Sequence, residues 1–263
     1  MKYFYITASE LAKLTGHNQY ESKQNTIRSL LKKFGIKDVY VPKSNTEEGL
    51  NKLSPAQLEL LKKELSKLTG LNQSHSSIYL LEGVIKKYII LPTQQENLDE
   101  EQSRELFTTL VTNGGILEHI SGYIKKDLRM RRGNVREKKN LDKLQTTSNI
   151  VIKERNSKMY TKELIRTDNY CIILRGKVDG ISGDTVVEAK NRCNRLFMEL
   201  RDYERVQLEC YMYLTGYNKA ILTEHYNETS NQISYNHDSC FWEECVRLSV
   251  EFIDVNIVPH IVD

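Results

Sequence analysis

Residues 175–190, RGKVDGISGDTVVEAK, leave the chain the least freedom. Residues 185–190 alternate with a period of two, as a strand does, so Val186, Glu188 and Lys190 share one face and Val187 and Ala189 the other. Gly180 and Gly183 mark a turn ahead of this strand, and residues 171–178 read as a preceding strand that ends at Asp179. A hairpin of the two brings Asp179 beside Glu188. Two carboxylates and a lysine at the end of an apolar run are costly to bury unless something meets them. Carboxylate oxygens completed by water suit a hard divalent cation such as Mg²⁺. Taken alone, the same residues also fit a solvated hairpin with an ordinary ion pair.

The chain has 263 residues, 39% hydrophobic and 28% charged, which describes a soluble globular protein of one large domain or two small ones. No apolar run approaches the roughly 18 residues of a membrane span. The opening MKYFYITASE lacks the basic and apolar regions of a secretory signal. A cytoplasmic protein is expected, in the host cytoplasm or nucleus if the source is viral. Cys171, Cys193, Cys210, Cys240 and Cys245 are scattered without C-x-x-C spacing, so reduced thiols are expected rather than a zinc site. The net charge of +3 hides a basic run: from Lys125 to Lys139, eight Lys and Arg stand against Asp127 and Glu137. Such a run draws phosphates without reading sequence. Arg131, Arg132 and Arg136 within it are candidate DNA contacts.

Apolar spacing and capping residues place the other elements. Thr7 or Ser9 can open a helix with Leu11, Ala12 and Leu14 as its apolar positions and Gly16 and Asn18 as its end, and residues 26–34 predict a second helix stopped by Gly35. Residues 36–55 read as loop with a short strand at 39–41. Ser54-Pro55 opens a helix with Leu58, Leu60, Leu61, Leu65 and Leu68 as its apolar stripe and Gly70 as its stop. Helices are predicted at 76–91, 99–113 and 116–131, the last continuing through 133–144 and so carrying Glu137. Strands are predicted at 150–154, 164–166, 171–178, 185–190, 220–226 and 233–235, and helices at 203–214 and 239–255.

Asp179, a short turn and then Glu188-x-Lys190 resemble the PD-(D/E)xK nuclease superfamily. Gln207-Leu208-Glu209-Cys210-Tyr211 fits Q-x-x-x-Y, and Gly133-Asn134-Val135-Arg136-Glu137 fits G-x-x-x-E. Both are similar to helix motifs of the branch that holds phage lambda exonuclease and the viral alkaline and recombination exonucleases. The order Glu137, Asp179, Glu188, Lys190, Gln207 is that of the branch. The string ITASELAKLTGHNQYES is similar to its T-A-S helix opening and later G-x-x-x-Y.

The resemblance implies an α/β fold: a restriction-endonuclease-like core, with a mixed central sheet flanked by helices, at residues 116–263, and a helical N-terminal region at 1–115. It implies a Mg²⁺-dependent DNA exonuclease of viral or phage-type recombination, repair or replication, with Mn²⁺ able to substitute. Asp179, Glu188 and the Ala189 carbonyl would ligate metal, and Glu137 would complete a second metal position. Lys190 would activate water or stabilise the phosphate, Gln207 would orient Lys190 or the water, and Tyr211 would pack beside them. Ser9 would lie near a DNA phosphate. The branch's arginine for a 5′-phosphate, ahead of the T-A-S string, has no counterpart among residues 1–6, and Arg28 is the candidate substitute. Relatives often work with a single-strand annealing protein and some form rings of three, so such a partner and a homo-oligomer are further expectations; a membrane partner is not. The other readings are a sequence-independent endonuclease or nickase of the same fold, a ribonuclease, and a non-catalytic DNA-binding module. The presence of all five motif residues argues against the last.

Overall fold

The computed structural model describes residues 1–86, 117–192 and 194–261. The helix predicted at 99–113, the end of the one predicted at 76–91, and Cys193 lie outside the described residues. In chain order the elements are β1 (Lys2–Thr7), α1 (Ala8–Leu14), α2 (Lys23–Lys33), α3 (Asn45–Leu50), α4 (Pro55–Thr69), α5 (Ser77–Ile85), α6 (Leu117–Ser148), β2 (Tyr160–Arg166), β3 (Tyr170–Gly176), β4 (Gly180–Ser182), β5 (Thr185–Asn191), α7 (Asp202–Thr215), β6 (Lys219–Tyr226), β7 (Thr229–Asn236) and α8 (Ser239–Asn256).

They form two compact units, Met1–Val41 with Val135–Asp263, and Pro42–Asn134. The division differs from the one expected at residue 115. β1 runs parallel to β3, pairing Phe4 with Ile172 and Ile6 with Leu174, and these pairs tie the first residues into the sheet unit. The second boundary falls inside α6.

The smaller unit is helical. Ser54 and Gln57 form a capping box at the start of α4, Pro55 occupies its first turn, and Gly70, at φ 77°, ends it in the left-handed conformation. Leu61 and Leu65 of α4 pack with Leu80, Leu81 and Val84 of α5 and with Ile120 and Ile124 of α6. Leu60, assigned to the apolar stripe, is instead 55% exposed. No strand forms at 39–41. The short α3 follows, with Ser44 as N-cap. Asp127 secures it by accepting from the Asn45 amide at 3.1 Å and the Thr46 amide at 2.7 Å.

In the larger unit the expected single central sheet is divided in two. One sheet has the order β1-β3-β2, the other β4-β5-β6-β7. β5 and β6 are parallel with α7 as the crossover, and α7 packs on β2, β3, β5 and β6. Val186 of β5 joins the large core with Val206, Cys210 and Met212 of α7 and Leu222 of β6. On the opposite face, Val187 and Ala189 pack with Leu141 and Leu144 of α6 and with Ile152. Burial on both faces accounts for the apolar residues on both sides of β5, Val186 on one and Val187 and Ala189 on the other. The strand expected at 150–154 reduces to one bridge, Lys153 to Ile181. Asn149, Glu154 and Asn156, at φ 50°, 52° and 46°, turn the backbone out of an extended path. Among the described residues no helix is long and apolar enough to cross a membrane.

Candidate functional site

The hairpin expected at the start of this stretch forms with a different first arm. β4, not the strand at Tyr170–Gly176, pairs with β5, in the register Gly180↔Val187, Ile181↔Val186 and Ser182↔Thr185. One step further along that register sets Asp179 opposite Glu188. Asp179 Oδ2 accepts a hydrogen bond from the Ala189 amide at 2.8 Å, which locks the two arms at this point. Gly180 lies so close to Ile152 that a Cβ there would collide with its side chain. The Lys153 amide and carbonyl bond Ile181 at 2.7 and 2.8 Å and hold that approach.

Glu188 is only 3% exposed. Its Oε1 accepts from Lys190 Nζ at 2.6 Å, and its buried Oε2 has no hydrogen-bond partner among the described residues. Lys190 Nζ also donates to Gln207 Oε1 at 3.0 Å, and Gln207 Nε2 donates to the Tyr211 hydroxyl at 3.0 Å. Gln207 and Tyr211 stand one helical turn apart on α7, so Q-x-x-x-Y is here a relay that aims an amide at the lysine. The Tyr211 ring lies over Gly176, where a Cβ would come within 2.9 Å of it.

Glu137 enters from α6, half-buried, with Oε1 accepting from Asn156 Nδ2 at 3.2 Å. The carboxylates do not close into a ready ligand cage: among the described residues, no three His, Cys, Asp or Glu are gathered so as to hold a metal. They do feel one another. Burial first, then the charge of Glu188 and that of Glu137, push the Asp179 carboxyl up to about 9. Burial and Glu188 also raise Glu137, against the Asn156 hydrogen bond that lowers it. Burial alone would lower Lys190, but the charge of Glu188 and its hydrogen bond outweigh this and leave the ammonium raised and protonated. The Tyr211 hydroxyl is raised far above its usual range, chiefly by burial and then by Glu188. Of these carboxylates Glu188 alone bonds the Lys190 cation, Asp179 and Glu137 feel it through charge, and one oxygen of Glu188 is left over.

No hydrogen bond or ion pair among the described residues ties Ser9 or Arg28 to this cluster. Thr7, not Ser9, caps α1, through a capping box with Glu10, and Ser9 is exposed beside it. Arg28 is exposed on α2. Arg131, Arg132 and Arg136 lie on α6, with side chains outside the described part of the structure.

Sequence reading missed two features. Asn156 links Glu137 to the backbone just before Asp179, its amide bonding the Val178 carbonyl at 3.1 Å. No periodicity announces such a residue. Arg192 sits between two buried carboxylates, its Nη1 2.7 Å from Glu204 Oε1 and its Nε 2.6 Å from Glu224 Oε1. A signal for this one existed: Arg192 continues the alternation of Glu188 and Lys190, and Glu204, Gln207 and Tyr211 share one helical face.

No family model and no curated protein sequence matches the chain. Among solved structures, LHK-Exo in complex with dAMP aligns over 98% of this chain and 90% of its own, at 11% identity and a TM-score of 0.48. A second structure, of the alkaline exonuclease LHK-Exo from Laribacter hongkongensis, covers 82% of this chain and 95% of its own at 12% identity and a TM-score of 0.41. A phage-related exonuclease from Haemophilus somnus 129PT covers 98% and 96% at 11% identity, with a TM-score of 0.41. The chain resembles these exonucleases.

Proposed function

We propose that this chain is a metal-dependent deoxyribonuclease that degrades linear DNA from its ends. The observation that carries this reading is the buried Oε2 of Glu188, without a partner among the described residues, beside an Asp179 whose carboxyl is pushed up by burial and then by the charge of Glu188. A buried acceptor without a donor is rare in a finished fold, and here it faces a site short of positive charge. A divalent cation fits both facts. Mg²⁺, or Mn²⁺ in its place, takes one or two carboxylates and keeps several waters, so the lack of a closed cage suits it. Asp179, Glu188 and the Ala189 carbonyl would hold it, with Glu137 serving a second position.

When bound, the cation supplies Lewis-acid neutralisation of phosphate charge and makes attacking water more acidic. The chain's own residues supply the rest. Lys190, kept protonated, orients the attacking water or stabilises the extra negative charge on the phosphate. Gln207 fixes the direction of Lys190, and Tyr211 fixes Gln207. The basic run on α6, with Arg131, Arg132 and Arg136, and Ser9 on α1 contact phosphates, which yields little sequence preference. Arg28 takes a terminal 5′-phosphate. A role in viral or phage-type recombination, repair or replication, beside a single-strand annealing protein and as a homo-oligomer, completes the reading.

Incubation with linear duplex, closed circular duplex, single-stranded DNA and RNA, each in Mg²⁺, Mn²⁺ and EDTA, tests it. Linear DNA should disappear in either metal and persist in EDTA, and closed circles should survive. Rapid cutting of circles would make the chain an endonuclease, and preferential loss of RNA a ribonuclease. On linear duplex, Arg28→Ala should erase any preference for 5′-phosphorylated over 5′-hydroxyl ends.

A further inference from the structure

Residues 149–156 form a strap between α6 and the β4–β5 hairpin. Toward α6, the Ile152 amide donates to Gln145 Oε1 at 2.9 Å, Arg155 pairs with Asp142, and Asn156 Nδ2 donates to Glu137 Oε1 at 3.2 Å. The strap therefore runs back along the helix. Toward the hairpin, Lys153 bridges to Ile181 and the Asn156 backbone amide donates to the Val178 carbonyl at 3.1 Å. Asn156 is thus tied by its backbone to the residue before Asp179 and by its side chain to Glu137. Its φ of 46° lies in the left-handed region, which asparagine tolerates better than most residues.

The helix itself does not hang on this bond. Leu141 and Leu144 pack with Val187, Ala189 and Ile152, and Asn140 donates to Asn191 of β5, so α6 is held one and two turns beyond Glu137. What is left to settle is where the Glu137 side chain points. The charge of Glu188 acts against it more strongly than that of Lys190 acts for it, and Glu137 and Asp179 repel one another as well. A half-buried carboxylate pushed by like charges turns toward solvent unless a donor holds it.

We propose that Asn156 is a positioning residue whose side-chain amide holds the Glu137 carboxylate toward Asp179 and Glu188, in the posture a metal ligand needs. A neutral amide suits the task, because it donates to the carboxylate without adding the positive charge that would compete with a cation. Groups that donate to a metal's carboxylate ligands orient them in this way. The proposal rests on the reading of Glu137 as a metal ligand.

The test is calorimetric titration of Mn²⁺ into the full chain without DNA. Asn156→Gly removes the side-chain amide, keeps the backbone bond to Val178 and accepts the left-handed φ freely. It should weaken Mn²⁺ binding by about tenfold or more, the usual scale for a group behind a metal ligand, and should melt in EDTA within a few degrees of the parent. Glu137→Ala should weaken binding at least as much. Adding Asn156→Gly to it should change nothing further, because the amide then has no carboxylate to hold. Parental Mn²⁺ binding by Asn156→Gly would overturn the proposal. A further loss on top of Glu137→Ala, or a large fall in the EDTA melt, would overturn it too, by making the residue a support of the strap. If the glycine variant does not fold, Asn156→Ser, whose hydroxyl is too short to reach Glu137, replaces it in the same cycle. A parent that binds no Mn²⁺ would refute the metal reading and this proposal with it, whereas a parent and a glycine variant that bind equally well would refute the role of Asn156 alone.

Discussion

Two groups of buried carboxylates meet the end of β5, one around Lys190 and one around Arg192 just past it, and they are built on opposite terms. Around Arg192, every carboxylate oxygen is bonded. Glu204 accepts from Arg192 Nη1 and Nη2 at 2.7 and 3.1 Å, from the Tyr203 hydroxyl at 3.0 Å and from the Arg201 amide at 3.3 Å. Glu224 accepts from Arg192 Nε at 2.6 Å, from the Phe197 and Met198 amides at 3.3 and 2.9 Å, and from Asn231 at 3.3 Å. Burial pushes the Glu224 carboxyl up, but the Met198 amide and the Arg192 charge more than offset it, so it stays below its ordinary range. Around Lys190, one oxygen of Glu188 is bonded and the other is not, and Asp179 is raised rather than lowered. A buried ionic group whose acceptors are all filled serves the fold, whereas an acceptor left short of donors calls for a reason, and the proposed cation would supply one at Glu188.

The largest effect expected from this contrast is on activity. Glu188→Ala should lower cleavage by about a thousandfold or more, the scale of removing a group that acts on the transition state. DNA binding in EDTA should persist or tighten, because a negative charge facing phosphate is gone. Initial rates in Mg²⁺ and a thermal melt in EDTA separate the two effects, and full activity in the variant would dissolve the assignment. Arg192→Ala should do the reverse. It strands two buried carboxylates and should cost about 3–5 kcal/mol of stability. Denaturant titration measures this, and a loss below about 1 kcal/mol would remove the distinction between the clusters.

A smaller effect concerns pH. The Asp179 carboxyl titrates near 3.8 when unfolded and at about 9 in the folded, metal-free chain. Between those values the folded state keeps a proton that the unfolded state has released. Stability in EDTA should therefore fall as pH rises from about 4 to about 9, the opposite of a salt-bridged carboxylate. Asp179→Asn should flatten that slope, and so should Mg²⁺. Thermal melts at a series of pH values check the sign, and a slope unchanged by the substitution would place the pH dependence elsewhere.

Much of this was legible in the sequence where a pattern was local. The alternation of β5, the helical face of Gln207 and Tyr211, and the Ser54-Pro55 start of α4 all lie within a few residues and appear where expected. What was not legible depends on distant partners. α3 has no apolar stripe, and its start is secured by Asp127, 81 residues away from Thr46. β4 spans three residues and gains its identity only by pairing with β5, so the hairpin was given the wrong first arm. The strand expected at 150–154 had suitable residues, but left-handed positions at Asn149 and Glu154 bend it out of the sheet. In the site, each side chain from Asp179 to Tyr211 joins one hydrogen-bonded or electrostatically coupled group, whereas Asn156 could be found only once α6 and the hairpin were brought together.

The smallest effect lies outside both clusters, in the basic run of α6. If the Glu188 site is the place where chemistry happens, charges on Arg131 and Arg132 should act on binding alone. Replacing both with Ala should make the dependence of log K on log salt for duplex DNA shallower by up to about 1.8, since each phosphate contact contributes about 0.9. The affinity loss should be alike for unrelated sequences, because phosphate contacts carry no base information. Cleavage at saturating DNA should be unchanged, and Glu188→Ala should show the converse, with a parental salt slope and no cleavage. Fluorescence anisotropy across a salt series, on two unrelated duplexes, provides the measurement. A parental slope in the double variant would make the run a solvated helix face and leave the phosphate contacts to other residues, while a fall in cleavage at saturation would draw α6 into the chemistry itself.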